Sequence, residues 1–383
     1  VQPWLGVEGI MSWLATRSTC DTLVVYHDTG GLDAAQGDDL LVSGSLCIDI
    51  LNDESHSPAP LLHLSQGGDW PLDICLSRTA SGGFRLKIQQ PGISISREVA
   101  PRSASQPNAP SEVGLPTPPT GPARLVYAWH GPARWGRLAL LGHTGHTISV
   151  ADVNAPPPLR LSDLRRLLRD LPPDARQQGL LSVSLSNRIL PLAPFAGLAP
   201  ETLVATPSGP TQISQLKRGD LILSETGDYI PVLHKLMRQR PAVGHDTPVR
   251  LRAPFLGLDE DITVAPYQQL VVTGSDVDYL FGRPQVRVPA IALKGTAIAT
   301  PVSADLTEQA VFTQLVLPRN ERFLAAGTPV ESLFLGRLRR DAVGLSASAV
   351  AHIPRSDLPE HATDPTPILR SFDAAVLAER RIA

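Results

Sequence analysis

The stretch Gly197-Leu198-Ala199-Pro200-Glu201-Thr202-Leu203-Val204-Ala205-Thr206-Pro207-Ser208-Gly209 decides how this chain is read. Pro200, Pro207 and Gly209 bracket a run too short for a helix, so residues 202–205 are predicted as a short strand between turns. The pattern continues downstream, with strands predicted at 220–224, 230–237, 249–252, 262–265 and 270–273. With 37 prolines and 30 glycines in 383 residues, punctuation this dense fits many short strands. The C-terminal half therefore reads as all-β with a few short helices.

Upstream, strands are predicted at 21–26, 40–50, 72–77, 83–89, 124–129 and 137–141. Phe84, Leu86 and Ile88 alternate with Arg85 and Lys87, the two-residue period of a half-buried strand. Leu125, Tyr127 and Trp129 alternate in the same way. Many short strands with Gly/Pro turns predict a sandwich of packed sheets over residues 1–160. Residues 101–122, rich in Pro, Ser and Ala, bury too little apolar surface to offset ordering entropy and are read as a mobile loop inside that domain. Residues 161–194 read as a connector. It holds one helix, capped by Ser162, striped with Leu164, Leu167, Leu168 and Leu171 and ended by Pro172-Pro173. It also holds a strand in which Leu181, Val183 and Leu185 alternate with serines. Residues 341–383 form a tail whose last helix, 372–381, is predicted with Ser371 as cap and Phe372, Val376 and Leu377 facing inward.

Charged residues make up 19%, hydrophobic ones 42%, and the formal net charge is -3. That balance predicts a globular protein without an electrostatic footprint for nucleic acid. No apolar run is long enough to span a membrane; Leu138 to Leu141 is typical. No signal peptide is visible behind the initial Val1, which leaves a cytoplasmic and an exported location both open. The three cysteines, Cys20, Cys47 and Cys75, cannot all pair, lack zinc spacing and read as buried small hydrophobes, with one disulfide conceivable. No cysteine follows Cys75.

The segment 197–209 resembles the opening of a bacterial Hint (hedgehog/intein) domain, which begins with a Cys and an aromatic and continues Gly-Thr-hydrophobic-hydrophobic-Ala-Thr-Pro-x-Gly. Ile213-Ser214-Gln215-Leu216-Lys217-Arg218-Gly219-Asp220-Leu221-Ile222-Leu223 resembles the family's next block. Pro248-Val249-Arg250-Leu251-Arg252-Ala253 and Ile262-Thr263-Val264-Ala265-Pro266-Tyr267-Gln268-Gln269-Leu270 fall where its second catalytic block stands. Val277-Asp278-Tyr279-Leu280-Phe281-Gly282 and Gly327-Thr328-Pro329-Val330-Glu331-Ser332 complete the likeness. The resemblance spans about 195–335, placing a Hint-like domain at 195–340, and implies an all-β horseshoe. The N-terminal half distantly resembles laminin-G-like or jelly-roll modules.

What the resemblance implies chemically is self-cleavage. The family's first residue attacks the carbonyl before it, so it must carry a thiol or hydroxyl. A Thr/Ser-x-x-His pattern then polarises the bond and protonates the departing amide nitrogen. Carried over, the nucleophile position falls at Gly197, the hydroxyl at Ala265 and the imidazole at Gln268. None of the three can do its part: a glutamine carboxamide does not exchange a proton near neutral pH. Thr202 is the first Ser or Thr after Ser186 and lies five residues past Gly197. His234 and His245 read as surface or satisfied polar groups. The chain ends Arg381-Ile382-Ala383, without the His-Asn pair of C-terminal splicing. The expected protein is therefore a Hint domain that has lost autoproteolysis, a pseudoenzyme serving as a binding or structural module. Tyr267, Gln268 and Gly197 are candidates to line a cleft, and the partner is a protein or a glycan. Two alternatives stand beside it: cleavage between Ala196 and Gly197 by a non-standard Ser or Thr, and glycan binding by the N-terminal sandwich.

Other features are weighed against bland roles. Trp70, Trp129 and Trp135 offer stacking platforms for sugars, though core packing is the commoner role. His143 and His146 lack a third metal ligand and read as a hairpin tip. Asp259-Glu260-Asp261 reads equally as a calcium turn or a solvated one. The stretch Gly30-Gly31 to Asp38-Asp39 reads as a turn, and Arg337-Leu338-Arg339-Arg340 as a surface basic run. No nucleotide-binding or Gly-x-Ser-x-Gly motif appears, and no cofactor or metal is expected.

Overall fold

Period-2 hydrophobicity dominates the chain, and strands are what it forms. The computed structural model describes residues 13–20, 23–27, 39–52, 58–100, 121–142, 147–192, 196–302, 309–346 and 348–382. Two compact units result: Met11–Ala193 with Val243–His245, and a second holding Pro194–Ala242 and Asp246–Ala383.

The first unit contains β1 (Trp13–Ser18), β2 (Val24–Tyr26), β3 (Leu40–Leu41), β4 (Ser43–Asn52), β5 (Pro60–Gln66), β6 (Leu72–Arg78), β7 (Phe84–Gln90) and β8 (Ile93–Val99). It continues with β9 (Gly121–His130), β10 (Trp135–Leu141), β11 (Thr147–Asn154), β12 (Leu159–Arg160), helix α1 (Leu161–Arg169) and β13 (Leu180–Ser186). One sheet runs β11-β10-β9-β4-β13-β1-β2 and another β5-β6-β7-β8. Ile48, Tyr127 and Trp129 from the first sheet share one core with Leu62, Phe84 and Ile88 from the second, which makes the pair a sandwich. The alternation read for β7 is observed: its burial strictly alternates along Phe84–Gln90.

The supposed connector is part of this body. Strand β13 lies between β4 and β1, and Leu164, Leu167 and Leu168 of α1 enter the same core. The serines of β13 are buried as well, because an inner strand is covered by its neighbours: Ser182 donates to Asp49 (3.2 Å), and Thr16 donates to Ser184 (3.2 Å). Ser162 is not the cap. Arg160 takes the cap position in extended conformation, because it pairs with Leu40 in the β12-β3 ladder and forces the helix to open at Leu161. Residues 101–120 and the pair His143 and His146 lie outside the described residues, as do Gly30, Gly31, Gly37 and Asp38. Strand β9 begins at Gly121, so the Pro-rich stretch is shorter than expected. Cys47 is buried and Cys75 half-buried, but Cys20 is exposed in the turn after β1; none of the three is in a disulfide.

The second unit contains β14 (Leu203–Val204), β15 (Thr211–Gln212), β16 (Leu221–Leu223), β17 (Tyr229–Pro231), β18 (His234–Pro241), β19 (Val249–Leu251), β20 (Ile262–Val264) and β21 (Gln269–Thr273). Then follow α2 (Ser275–Phe281), β22 (Gln285–Pro289), β23 (Ala299–Pro301), β24 (Gln309–Val316), β25 (Arg322–Ala325), β26 (Thr328–Glu331), α3 (Ala342–Ser346) and α4 (Ser371–Ile382). A six-stranded sheet runs β15-β14-β25-β26-β21-β22, beside the ladders β16-β17, β18-β24 and β20-β19-β23. Gly282 ends α2 in the left-handed conformation (φ 61°), the role glycine fills at no steric cost.

Helix α4 forms as predicted but faces differently. Ala374, Leu377 and Ala378 enter the core, while Phe372 is 78% exposed. Spacing explains it: 374, 377 and 378 make one i, i+3, i+4 stripe, and position 372 falls about 160° away from 374 around the axis. Among the described residues, no helix is long and apolar enough to cross a membrane.

Candidate functional site

Three residues far apart in type but close in register meet where β20 ends. Leu198 is paired on both sides, with Val264 of β20 and with Thr313 of β24. The Leu198 amide donates to the Thr313 carbonyl (2.9 Å), and the Thr313 amide returns a bond to Leu198 (2.8 Å). This clamps Gly197 beside the turn that leaves β20. The Ala265 amide donates to the Gly197 carbonyl (2.8 Å), and the Gln268 amide donates to the Ala265 carbonyl (2.9 Å). The positions 197, 265 and 268 are therefore neighbours, and all three are buried.

Ala265 packs against Phe312. Gln268 has no exposed surface, and its carboxamide nitrogen donates to the carbonyls of Gln269 and Glu331, each at 3.1 Å. Gln314, on β24, also directs its amide at the Glu331 carbonyl (3.5 Å). Two glutamines thus converge on one backbone oxygen of β26. Around them, the Oε1 atoms of Gln268 and Gln314 and the hydroxyls of Thr313 and Ser332 are buried without a protein partner. Such atoms carry a desolvation cost unless water bridges them. Tyr267 is half-buried beside this cluster.

Sequence reasoning missed Thr313, Gln314, Glu331 and Ser332 as parts of this environment. Thr313 carries the hydroxyl nearest in register to Gly197, one residue from its pairing partner Leu198. Two imidazoles of this unit are engaged elsewhere: the His361 ring accepts from the Leu335 amide (3.1 Å) and meets the Leu317 carbonyl (3.0 Å), and His234 meets the Asp357 carbonyl. The Glu331 carboxyl is pushed up by burial, against the pull of Arg287, whose guanidinium donates to it at 3.0 Å.

An open cleft of about 490 Å³ lies along the same strand, lined by Glu201, Thr202, Gln212, Arg250, Glu260, Asp261 and Thr263 among others. Its lining includes none of Gly197, Ala265, Tyr267 and Gln268, so the polar cluster is packed rather than open to it. Asp261 is engaged in a turn, accepting from the Ala253 amide (2.9 Å) and from Arg250 (3.1 Å), which favours the solvated-turn reading of 259–261.

A sequence profile described as the Hint domain matches residues 196–337. The chain contains a Hint domain. Solved structures similar to this chain include the gp41-1 intein, 15% identical over 36% of this chain and 99% of the intein, with a TM-score of 0.26. The MchDnaB-1 intein is 16% identical over 36% of this chain and 99% of the intein, with a TM-score of 0.25. A native heptameric SAP-like pentraxin from Limulus polyphemus is 10% identical over 48% of this chain and 61% of its own, with a TM-score of 0.18. No curated protein matches the chain.

Outside the Hint domain, the three candidate tryptophans separate by burial. Trp129 is wholly buried, donates to the Leu41 carbonyl (3.0 Å) and stacks on Tyr127. Trp135 is half-buried beside the Arg137 guanidinium. Trp70 is 41% exposed, with the Arg160 guanidinium 5.7 Å from its ring centre.

Proposed function

We propose that this Hint domain does not cleave its own backbone and serves as a binding or structural module. The observation that carries the reading is Gln268: at the family's imidazole position stands a buried carboxamide, committed to two backbone carbonyls and unable to deliver a proton. Loss of general acid catalysis alone costs about 10²- to 10⁴-fold in rate. Gly197 offers no nucleophile, and Ala265 offers no hydroxyl.

The test is intact mass. Purified protein held at neutral pH with dithiothreitol, and separately with hydroxylamine, is expected to remain one 41.0 kDa species. Fragments from a break between Ala196 and Gly197 would overturn this reading. Loss of those fragments in Thr313→Val would then assign the attack to the Thr313 hydroxyl.

A second reading, glycan binding by the N-terminal sandwich, is favoured by one feature only: the exposed ring of Trp70. It predicts saturable binding on a glycan array that Trp70→Ala abolishes. Binding that survives the substitution removes Trp70 from that role.

A further inference from the structure

The edge of the Hint-domain sheet at β22 is already occupied by the chain itself. Residues 367–369 run parallel to it after a bend at Thr366: the Arg287 amide donates to the Pro367 carbonyl (2.8 Å) and the Leu369 amide to the Arg287 carbonyl (2.8 Å). One parallel bridge, Arg287 with Ile368, thus extends the sheet edge, the shortest form of the strand addition by which peptides dock on many proteins. Two arginines read the added segment. Arg287 donates through Nε and Nη2 to the Thr366 carbonyl (2.9 and 2.7 Å) and through Nη2 to the Asp364 carbonyl (3.3 Å). Arg322 holds the Asp364 carboxylate and donates to the Thr366 hydroxyl (2.8 Å).

The attachment is polar and thin. From Ala362 to Ile368 only Thr366 is buried; Ala362, Thr363, Pro365, Pro367 and Ile368 are exposed. Little apolar area is therefore lost when the segment lifts. The anchors flank it instead, with His361 on one side and, on the other, Leu369 and then α4, whose Leu377 shares one core with Leu369. The contacts divide as peptide recognition does: backbone carbonyls supply affinity in any sequence, while one carboxylate and one hydroxyl two residues apart supply the choice.

We propose that the β22 edge with Arg287 and Arg322 is a peptide-reading groove, and that residues 364–368 are its cis-bound occupant, excluding an Asp-x-Thr peptide of a partner protein that takes up the same turn, in which the Thr366 amide donates to the Asp364 carboxylate (2.8 Å). The inference deepens the binding-module reading and rests on it. A tethered occupant competes at an effective concentration of the order of millimolar, so the wild-type chain should bind a free peptide weakly. Weakening the tether's own contacts should open the groove.

The probe is a fluorescein-labelled peptide of residues 360–370, titrated by anisotropy into the full-length chain. The variant Asp364→Asn with Thr366→Val, which leaves both arginines and α4 intact, is expected to bind it at least about tenfold more tightly than wild type does, since a charge-assisted contact is lost only in cis. Because chain variants risk misfolding, the decisive arm changes the probe. Peptides carrying the same two replacements should lose at least about tenfold against the variant chain. Equal binding of changed and unchanged peptides, or none to the variant, overturns the groove. Hydrogen exchange closes the remaining gap: an Arg287 amide, whose acceptor is the Pro367 carbonyl, still protected in the variant makes the segment a fixed part of the fold and equally overturns it. Self-cleavage, by contrast, would sink the binding-module reading in the mass spectrum whatever the peptide does.

Discussion

Arg124→Ala is expected to destabilise the N-terminal sandwich by about 3–5 kcal/mol, the range for unpairing a buried ion pair. Asp49 and Arg124 are nearly inaccessible and meet through two hydrogen bonds of 2.7 and 3.0 Å. Burial alone would raise the Asp49 carboxyl, but Arg124 and the amide of His245 hold it well below the usual carboxylate range. Its folded pKa lies below the unfolded value, so the wild-type pair contributes stability above about pH 4 that is lost as the pH falls through that region. In the variant only burial and weaker donors remain, and acid relieves the stranded charge. The deficit against wild type should therefore be largest near neutrality and shrink towards pH 4. Guanidinium titrations followed by the fluorescence of the buried Trp13 and Trp129 report this unit. A deficit independent of pH would show that the loss is packing rather than charge.

The second large effect belongs to the Hint domain. Arg287→Ala should lower its stability by about 3–5 kcal/mol, because Glu331, buried beside Gln268, loses its partner. For a domain of this size that is a fall in Tm of roughly 10 °C or more, read by circular dichroism. The sign of the pH dependence is opposite to that of wild-type Asp49. Burial already raises the Glu331 carboxyl, and removal of Arg287 takes away the strongest attraction opposing that rise. A carboxyl with a folded pKa above its unfolded value gains stability for the fold as the pH drops. The variant should thus recover part of its loss as the pH is lowered from 7 towards the ordinary glutamate range. Arg287→Lys, which keeps a charge but not the fork, should recover part of it at pH 7. If neither recovery appears, the guanidinium acts mainly through the tail carbonyls it bonds.

How much of this could be read from the sequence follows from burial. Strands β6 and β7 have one polar face, so their alternation was visible. Strand β24 is buried along both faces over its last five residues, and Val-Phe-Thr-Gln-Leu-Val carries no alternation to read. The strands β14 to β17 are two or three residues long, and only their turns betrayed them. The positions 197, 265 and 268 were legible because the family's blocks occur in order. Their surroundings were not. Gln314 and Glu331 come to Gln268 through the register of β24 and β26, and Arg287 reaches Thr366 across 79 residues. Composition cannot announce such meetings. Phe372 departs from its expected inward face for a simpler reason: hydrophobicity alone does not set direction, and the stripe of 374, 377 and 378 fixes which side of the helix meets the core.

In the sandwich, Trp13 at the start of β1 faces Ser186 at the end of β13. Entry and exit of the polypeptide are thus side by side within one ladder. A body closed in this way tolerates relocation of its ends: joining 13 to 186 through a short linker and opening the chain at the Gly67-Gly68 turn, where added atoms meet nothing within 4 Å, keeps every rung in place. A host chain would then need only two adjacent points of attachment to carry these strands.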